Sequence, residues 1–287
     1  MQEDGGISSL FDFLADSTDK IIFSDATNKD SHVPVIHRNE INAESFRSNY
    51  LNKKPVKLKG FMNQEWTNWT PDSLCELFKE EPLSVLVSKD NKNFIDNDIT
   101  CERAQMTNTQ LFDHVFHVSS ASKRLYFRTT LPDALLESVD QLPIKTLLDR
   151  EKDNTSLLRL WVGSSGNVTP IHYDRCHGVL SQIIGTKKIT LFSPKYTSDI
   201  YPHESHSSRA HCSRVCMEKW IMGDTYQREH YPNFDRAKRR ECILEPGDIL
   251  YTPPGWWHHV LSVTPCASIT VPFDMKPGEK IPPNMLI

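Results

Sequence analysis

The second half of the chain is a succession of short strand-like runs separated by turns. Between about residues 156 and 274 the runs are "SLLRLWVG", "VTPIHYD", "GVLSQIIG", "KKITLFSP", "RECILEPGDILYTPP", "HHVLSVT" and "ASITVPF". A succession of short strands separated by turns is typical of an antiparallel sandwich or barrel. The sequence therefore predicts a mainly β fold with flanking helices, an α+β class, with its core at about residues 156–274.

The preceding part of the chain predicts helices that flank this core. Asn42 and Thr70 stand where helix N-caps are expected, and Pro71 takes the first helical position after Thr70. Strands are predicted at "LSVLVS" and "KRLYFRTTLP". We predict a single domain over residues 31–287 and a loosely ordered extension over residues 1–30.

Composition limits where the protein is found. The formal net charge is only −4, which gives no general attraction to nucleic acid or to an anionic membrane. No apolar run approaches the ~20 residues that a membrane span requires. Seven cysteines at irregular spacing fit a reducing compartment rather than a disulfide framework. The expected location is the nucleus or the cytoplasm, with no membrane partner.

The segment "VTPIHYDRCH" contains a candidate metal site. His172 and Asp174 are two residues apart, so on an extended strand their side chains share one face. A third ligand would come from the "GWWHHV" segment, but His258 and His259 face opposite sides and periodicity alone does not choose between them. Two histidines and one carboxylate form the facial triad of Fe(II) oxygenases, with zinc as the alternative metal.

A lysine pair lies downstream in "IIGTKKITLFSP". Strand alternation turns either Lys187 or Lys188 inward, although isolated lysine pairs at a strand start are more often both on the surface. A lysine inside an apolar barrel requires an anionic partner to offset its desolvation. A dicarboxylic co-substrate would supply that partner.

The long stretch between Pro194 and Arg240 exceeds what a hairpin needs and is typical of a functional loop over a site. Its potential zinc ligands have spacing that fits a histidine-rich loop better than a structural zinc site; they are His203, His206, His211, Cys212 and Cys216. Its end carries a basic patch where an RNA backbone or an acidic protein substrate would bind, formed by Arg236, Lys238, Arg239 and Arg240.

These motifs together resemble the JmjC family of Fe(II)- and 2-oxoglutarate-dependent oxygenases, which belong to the cupin superfamily. The resemblance runs from "FRSNYLNKKPVKLKG" to "VPF" and is nearest to the small hydroxylase branch, which includes the asparaginyl hydroxylase of hypoxia-inducible factor and the tRNA wybutosine hydroxylase. It implies a double-stranded β-helix (jelly-roll) core. It also implies iron ligands at His172, Asp174 and His258, and contacts to the distal 2-oxoglutarate carboxylate from Lys187, Thr169 and Tyr126.

The implied activity is hydroxylation of a C–H bond with dioxygen, while 2-oxoglutarate is decarboxylated to succinate. A protein side chain is the expected substrate. The alternatives are a modified tRNA nucleoside, methylated histone lysine, and a non-catalytic binding module; demethylation ranks lower because demethylases usually carry chromatin-reader domains.

Two departures from the asparaginyl hydroxylase pattern affect what can be transferred. The chain reads Pro272-Phe273-Asp274 in place of an Asn-Phe-Trp block. The substrate of the asparaginyl hydroxylase therefore cannot be assumed for this chain. Helices through which those relatives dimerise are not present after this strand, so a monomer is expected.

Overall fold

A computed structural model describes residues 31–62, 64–78, 82–90, 93–94, 101–118, 123–139, 143–148 and 158–286. The extension predicted for residues 1–30 lies outside the described residues, and the single-domain boundary at residue 31 stays a prediction. No helix in the described part is long and apolar enough to cross a membrane.

The described residues form two β-sheets. In chain order the strands are β1 Val35–His37, β2 Val56–Lys59, β3 Leu83–Ser88, β4 Cys101–Met106, β5 Leu125–Thr130, β6 Arg159–Gly163, β7 Val168–Tyr173, β8 His177–Ile184, β9 Lys187–Phe192, β10 Arg239–Leu244, β11 Ile249–Thr252, β12 Trp257–Ser262 and β13 Cys266–Phe273. The larger sheet has the order β1-β2-β11-β8-β13-β6-β5-β3-β4, and the smaller sheet has the order β10-β9-β12-β7.

Strands β6 to β13 form a jelly roll: successive strands lie in different sheets, except that β9 and β10 are neighbours in the smaller sheet. Four of them, β11-β8-β13-β6, make one antiparallel layer, and β10-β9-β12-β7 make the other. Chain crossings between facing layers are what the double-stranded β-helix requires, so the predicted fold class is confirmed. Strands β1 to β5 extend the larger sheet at both edges.

Helices cover the outer face of the larger sheet, where the main apolar core lies. Their bounds are Ala43–Asn49, Gln64–Thr67, Pro71–Cys75, Asn108–Phe112, Asp133–Val139 and Ile144–Leu148, with a π-helical turn at Asp113–His117. The predicted caps are present, because the Asn42 side chain accepts the Ser45 N–H and the Thr70 side chain accepts the Ser73 N–H. Both predicted helix starts are confirmed.

The long stretch between β9 and β10 covers the outer face of the smaller sheet, and we call residues 193–238 the insertion. Its helices are Thr197–Ile200, Met217–Ile221 and Thr225–His230. Aromatic residues of β7, β9 and β12 pack against it; they are Tyr173, Phe192 and Trp257. A third apolar cluster lies between the layers, where Leu191 and Cys242 of the smaller sheet meet Leu250 of the larger sheet.

Candidate metal and co-substrate site

The two histidines of the candidate metal site lie on neighbouring strands. β7 and β12 pair antiparallel with His172 directly opposite His258, and Asp174 follows β7. One ligand atom from each of the three residues lies within 4.8 Å of the others, and His258 Nε2 is 3.7 Å from Asp174 Oδ2. The structure thus brings together the three residues predicted to hold the metal.

Strand pairing also separates His258 from His259. His258 faces the interior between the layers, opposite His172, whereas His259 faces the insertion and its Nε2 lies 2.6 Å from Glu218 Oε1. Both members of this second pair are almost fully buried. The choice that periodicity left open is therefore decided by the register between strands.

Backbone carbonyls orient both imidazoles toward the site. Nδ1 of His172 lies 2.8 Å from the Pro170 carbonyl oxygen, and Nδ1 of His258 lies 3.0 Å from the Trp256 carbonyl oxygen. A proton on each Nδ1 leaves Nε2 as a neutral donor atom, which is the usual outer-sphere arrangement of a metal-binding histidine. Burial and the neighbouring His258 lower the pKa of His172 to about 4, so the ring is neutral near pH 7.

The group is open on one side. The Asp174 side chain is 54% exposed, whereas the His258 side chain is 13% exposed. The donor set is two imidazole nitrogens and one carboxylate, all on the same side of the space where a metal would bind. This set suits Fe(II) and leaves coordination positions open for exogenous ligands. The residues present therefore fit an iron centre with an accessible face.

The residues predicted to bind the distal carboxylate of a co-substrate also lie together. Lys187 is 2% exposed, and its Nζ lies 6.0 Å from the centre of the Tyr126 ring. The side chains of Thr169 and Lys187 lie beside the Tyr126 hydroxyl. Burial raises the pKa of Tyr126, and the Lys187 charge opposes that rise. These groups form one buried polar cluster.

Thr169 reaches this cluster through a β-bulge. It stands three residues before His172, so regular alternation would point the two side chains to opposite faces. The register shifts, however: His172 pairs with His258 while Thr169 pairs with Val260, so β7 has one extra residue there. Pro170 lies within the bulge, where its missing N–H removes no regular ladder bond.

Both lysines of the pair are buried, on opposite faces of β9. Lys188 lies on the outer face, 3.1 Å from Glu241 Oε2, and burial lowers its pKa while Glu241 opposes the shift. Lys57, another buried lysine, lies 2.5 Å from Asp248. Lys187 differs: its Nζ donates to Ser268 Oγ at 2.6 Å, and no carboxylate of the described residues lies within ion-pairing distance of it. Lys187 is a buried cation that needs an anion.

β13 contributes residues that the sequence reasoning missed. Ser268 contacts Lys187, and the Cys266 thiol lies 3.2 Å from Ser262 Oγ. The signal was visible in "CASITVPF", where polar Cys266, Ser268 and Thr270 alternate with apolar residues. Trp161 is only partly buried; its ring centre lies 5.3 Å from that of Tyr126 and its Nε1 donates to Thr270.

The histidine-rich part of the insertion pairs with the free edge of β7. The Tyr173 N–H donates to the His211 carbonyl, and the Ser213 N–H donates to the Ile171 carbonyl. Among the described residues, the only group of three or more side chains placed to hold a metal is His172, Asp174 and His258. This part of the insertion therefore contacts β7, the strand that carries His172, through backbone hydrogen bonds.

The basic patch predicted at the end of the insertion is divided by the fold. Arg236 and Lys238 are exposed, whereas Arg239 and Arg240 are partly buried. Arg239 lies on the outer face of β10, with its Nε 3.5 Å from Glu241 Oε1. The four cations do not form one surface.

Two outer-face residues that flank His258 are anchored to the insertion. Trp257 Nε1 donates to Thr197 Oγ1, and His259 pairs with Glu218. Replacing Glu218 with alanine leaves a buried imidazole unpaired, so we expect the free energy of unfolding to fall by about 1–3 kcal/mol. Urea denaturation measures this change. Glu204→Ala, at an exposed position of the same insertion, is the control, and an equal effect of both substitutions would contradict the prediction.

The fold and the site define a jelly-roll protein with a two-histidine, one-carboxylate group between its layers. A family model described as "Cupin-like domain" matches residues 42–279. The chain belongs to this family, the cupin-like JmjC proteins. The suspected family is therefore confirmed.

Named relatives of different kinds match the chain. Lysine-specific demethylase 8 of Danio rerio is 29% identical over 258 residues, covering 82% of this chain and 57% of the relative. The tRNA wybutosine-synthesizing protein 5 of Homo sapiens is 26% identical over 249 residues, covering 80% of this chain and 75% of the relative. JmjC domain-containing protein D of Dictyostelium discoideum is 38% identical over 121 residues, covering 42% of this chain and 26% of the relative.

The chain spans only part of several of these relatives, between 25% and 57% of the length of five of them. Among solved structures, the X-ray structure of E. coli ycfD matches with a TM-score of 0.46 and 21% identity, covering 83% of this chain and 54% of that one.

Proposed function

We propose that this protein is an Fe(II)- and 2-oxoglutarate-dependent oxygenase that hydroxylates a C–H bond of a protein side chain. Membership of the JmjC family supports oxygenase chemistry in general. The observation that carries the proposal is the joint placement of the His172, Asp174 and His258 group and the buried Lys187 cluster between the same two layers.

His172, Asp174 and His258 would hold the iron through Nε2, a carboxylate oxygen and Nε2. Bound iron would supply dioxygen activation coupled to decarboxylation of 2-oxoglutarate to succinate and carbon dioxide. The Pro170 and Trp256 carbonyls fix the rings, so little reorganisation is required when the metal binds. No side chain is needed as a general base.

Lys187, Thr169 and Tyr126 would bind the distal carboxylate of 2-oxoglutarate. A buried ammonium without a carboxylate partner is costly, and a dicarboxylate ligand supplies the missing charge. The two hydroxyl groups add donors beside the ammonium, and Ser268 Oγ orients Nζ. A charge-assisted contact of this kind is stronger than a neutral hydrogen bond.

A protein substrate is favoured over tRNA because the basic patch is split. Phosphate-backbone binding uses several cations at once, whereas here Arg239 is paired with Glu241. The names of the relatives keep a tRNA nucleoside and methylated lysine as alternatives. Free thiols at all seven cysteines support a nuclear or cytoplasmic location within the same proposal.

Succinate formation tests the activity. Purified protein with Fe(II), ascorbate and 2-oxoglutarate is expected to form succinate slowly without a substrate, and His172→Ala is expected to form none. Absence of turnover in the wild type, or equal turnover in His172→Ala, would favour a non-catalytic binding module.

A comparison of cell extracts identifies the substrate class. Extracts from cells with and without the protein are searched for a gain of one oxygen in peptides and in nucleosides.

A further inference from the structure

Arg240 lies on the interior face of β10, level with the candidate metal ligands. It pairs with Leu191 of β9, Leu191 pairs with His258, and His258 pairs with His172. Directly paired residues of antiparallel strands share a face, so these four side chains form one row across the smaller sheet. The next inward residue of β10, Cys242, is part of the apolar cluster between the layers. Arg240 therefore stands at the end of that cluster nearest the metal site.

Arg240 has no anionic partner within the described part of the chain. It is partly buried, and none of the described carboxylates lies within ion-pairing distance of it. Its neighbour Arg239 points to the opposite face and is paired with Glu241. Arg240 thus lies inward, in the same row as the candidate metal ligands, and its guanidinium donors are available for a ligand.

We propose that Arg240 binds an acidic side chain of the protein substrate and so places the neighbouring C–H bond at the metal site. This inference rests on the proposed function. Two strand spacings of about 4.8 Å separate the backbone of Arg240 from that of His258, so the two lie roughly 10 Å apart. That separation suits a contact with a residue at or beside the oxidised position.

The co-substrate does not account for this arginine. Lys187 lies at the opposite end of β9 from Leu191 and already faces Ser268 and Tyr126. An RNA ligand is disfavoured because phosphate recognition draws on several free cations, and the adjacent Arg239 is ion-paired. A carboxylate held by a bidentate guanidinium is the contact that one inward arginine makes best.

Peptide pools test the proposal. Two fluorescein-labelled pools of equal length would differ only at a fixed central position, with Asp or Glu in one and Asn or Gln in the other. Binding is measured by fluorescence anisotropy on full-length protein with Mn(II) and 2-oxoglutarate. The wild type is expected to bind the acidic pool at least about tenfold more tightly, as for a hydrogen bond between charged groups. Arg240→Gln should remove the preference, and Arg239→Gln should keep it.

Other results would overturn the inference. These are no preference in the wild type, a preference retained in Arg240→Gln, or an equal loss in Arg239→Gln. A labelled RNA oligonucleotide that loses binding in Arg240→Gln while the pools are not distinguished would assign the arginine to RNA. A raised KM for 2-oxoglutarate in Arg240→Gln would assign it to the co-substrate. Unchanged thermal unfolding shows that the variant is folded, and absent succinate formation in the wild type would refute the proposed function instead.

Discussion

Asp174→Ala is expected to abolish Fe(II)-dependent succinate formation and to weaken metal binding by more than the roughly 10–100-fold that loss of an outer-sphere partner causes. The carboxylate is the only anionic member of the candidate metal group. Without it, two neutral imidazoles on neighbouring strands would have to hold a divalent cation alone. Metal affinity measured by titration with Co(II), followed in the visible spectrum, reports this loss separately from activity.

Tyr173→Phe is the matched control for the metal prediction. Tyr173 is the neighbour of both His172 and Asp174 but lies on the outer face of β7. There it packs against the insertion, and its hydroxyl donates to the carbonyl of Asn284, which lies after β13. This variant should bind Co(II) as the wild type does. Equal Co(II) affinity of Asp174→Ala and the wild type would show that Asp174 is not a ligand.

Lys187→Met is expected to raise the KM for 2-oxoglutarate by at least about tenfold, the effect of losing a charge-assisted contact. In the absence of 2-oxoglutarate the same variant should unfold at the same temperature as the wild type or at a higher one. The reason is that Lys187 is buried with no carboxylate partner among the described residues, and replacing such a charge by an apolar side chain removes a desolvation cost. Differential scanning fluorimetry with and without 2-oxoglutarate measures both effects.

Lys188→Met should behave in the opposite way. Lys188 is paired with the mostly buried Glu241, so its removal is expected to lower the free energy of unfolding by about 1–3 kcal/mol while the KM for 2-oxoglutarate stays near the wild-type value. A raised KM for 2-oxoglutarate in Lys188→Met, with no change in Lys187→Met, would show that Lys188 and not Lys187 contacts the co-substrate.

Local sequence patterns predicted much of the fold. The succession of short strand-like runs between turns located β6 to β13, although β9 is buried on both faces. Asn42 and Thr70 predicted helix starts, because their side chains accept backbone N–H groups that a helix end leaves unpaired. His172 and Asp174 could be paired from spacing alone, because residues two apart on a strand share one face.

Other parts of the site depended on contacts between distant segments. Alternation did not choose between His258 and His259 or between Lys187 and Lys188; the resemblance to the JmjC family supplied those choices, and strand register shows which residue faces inward. The basic patch was predicted as one surface, but β10 sends Arg239 and Arg240 to opposite faces.

The sequence by itself determined the strands, the helix caps and the pairing of His172 with Asp174, because these depend on periodicity and on hydrogen bonds between near neighbours. Only the tertiary structure decided which face of each strand lies between the layers, that Thr169 joins that face through a bulge opposite β12, and that Lys187 has no carboxylate partner in the described part of the chain. The reason is that register and burial depend on long-range strand pairing, which no local pattern encodes.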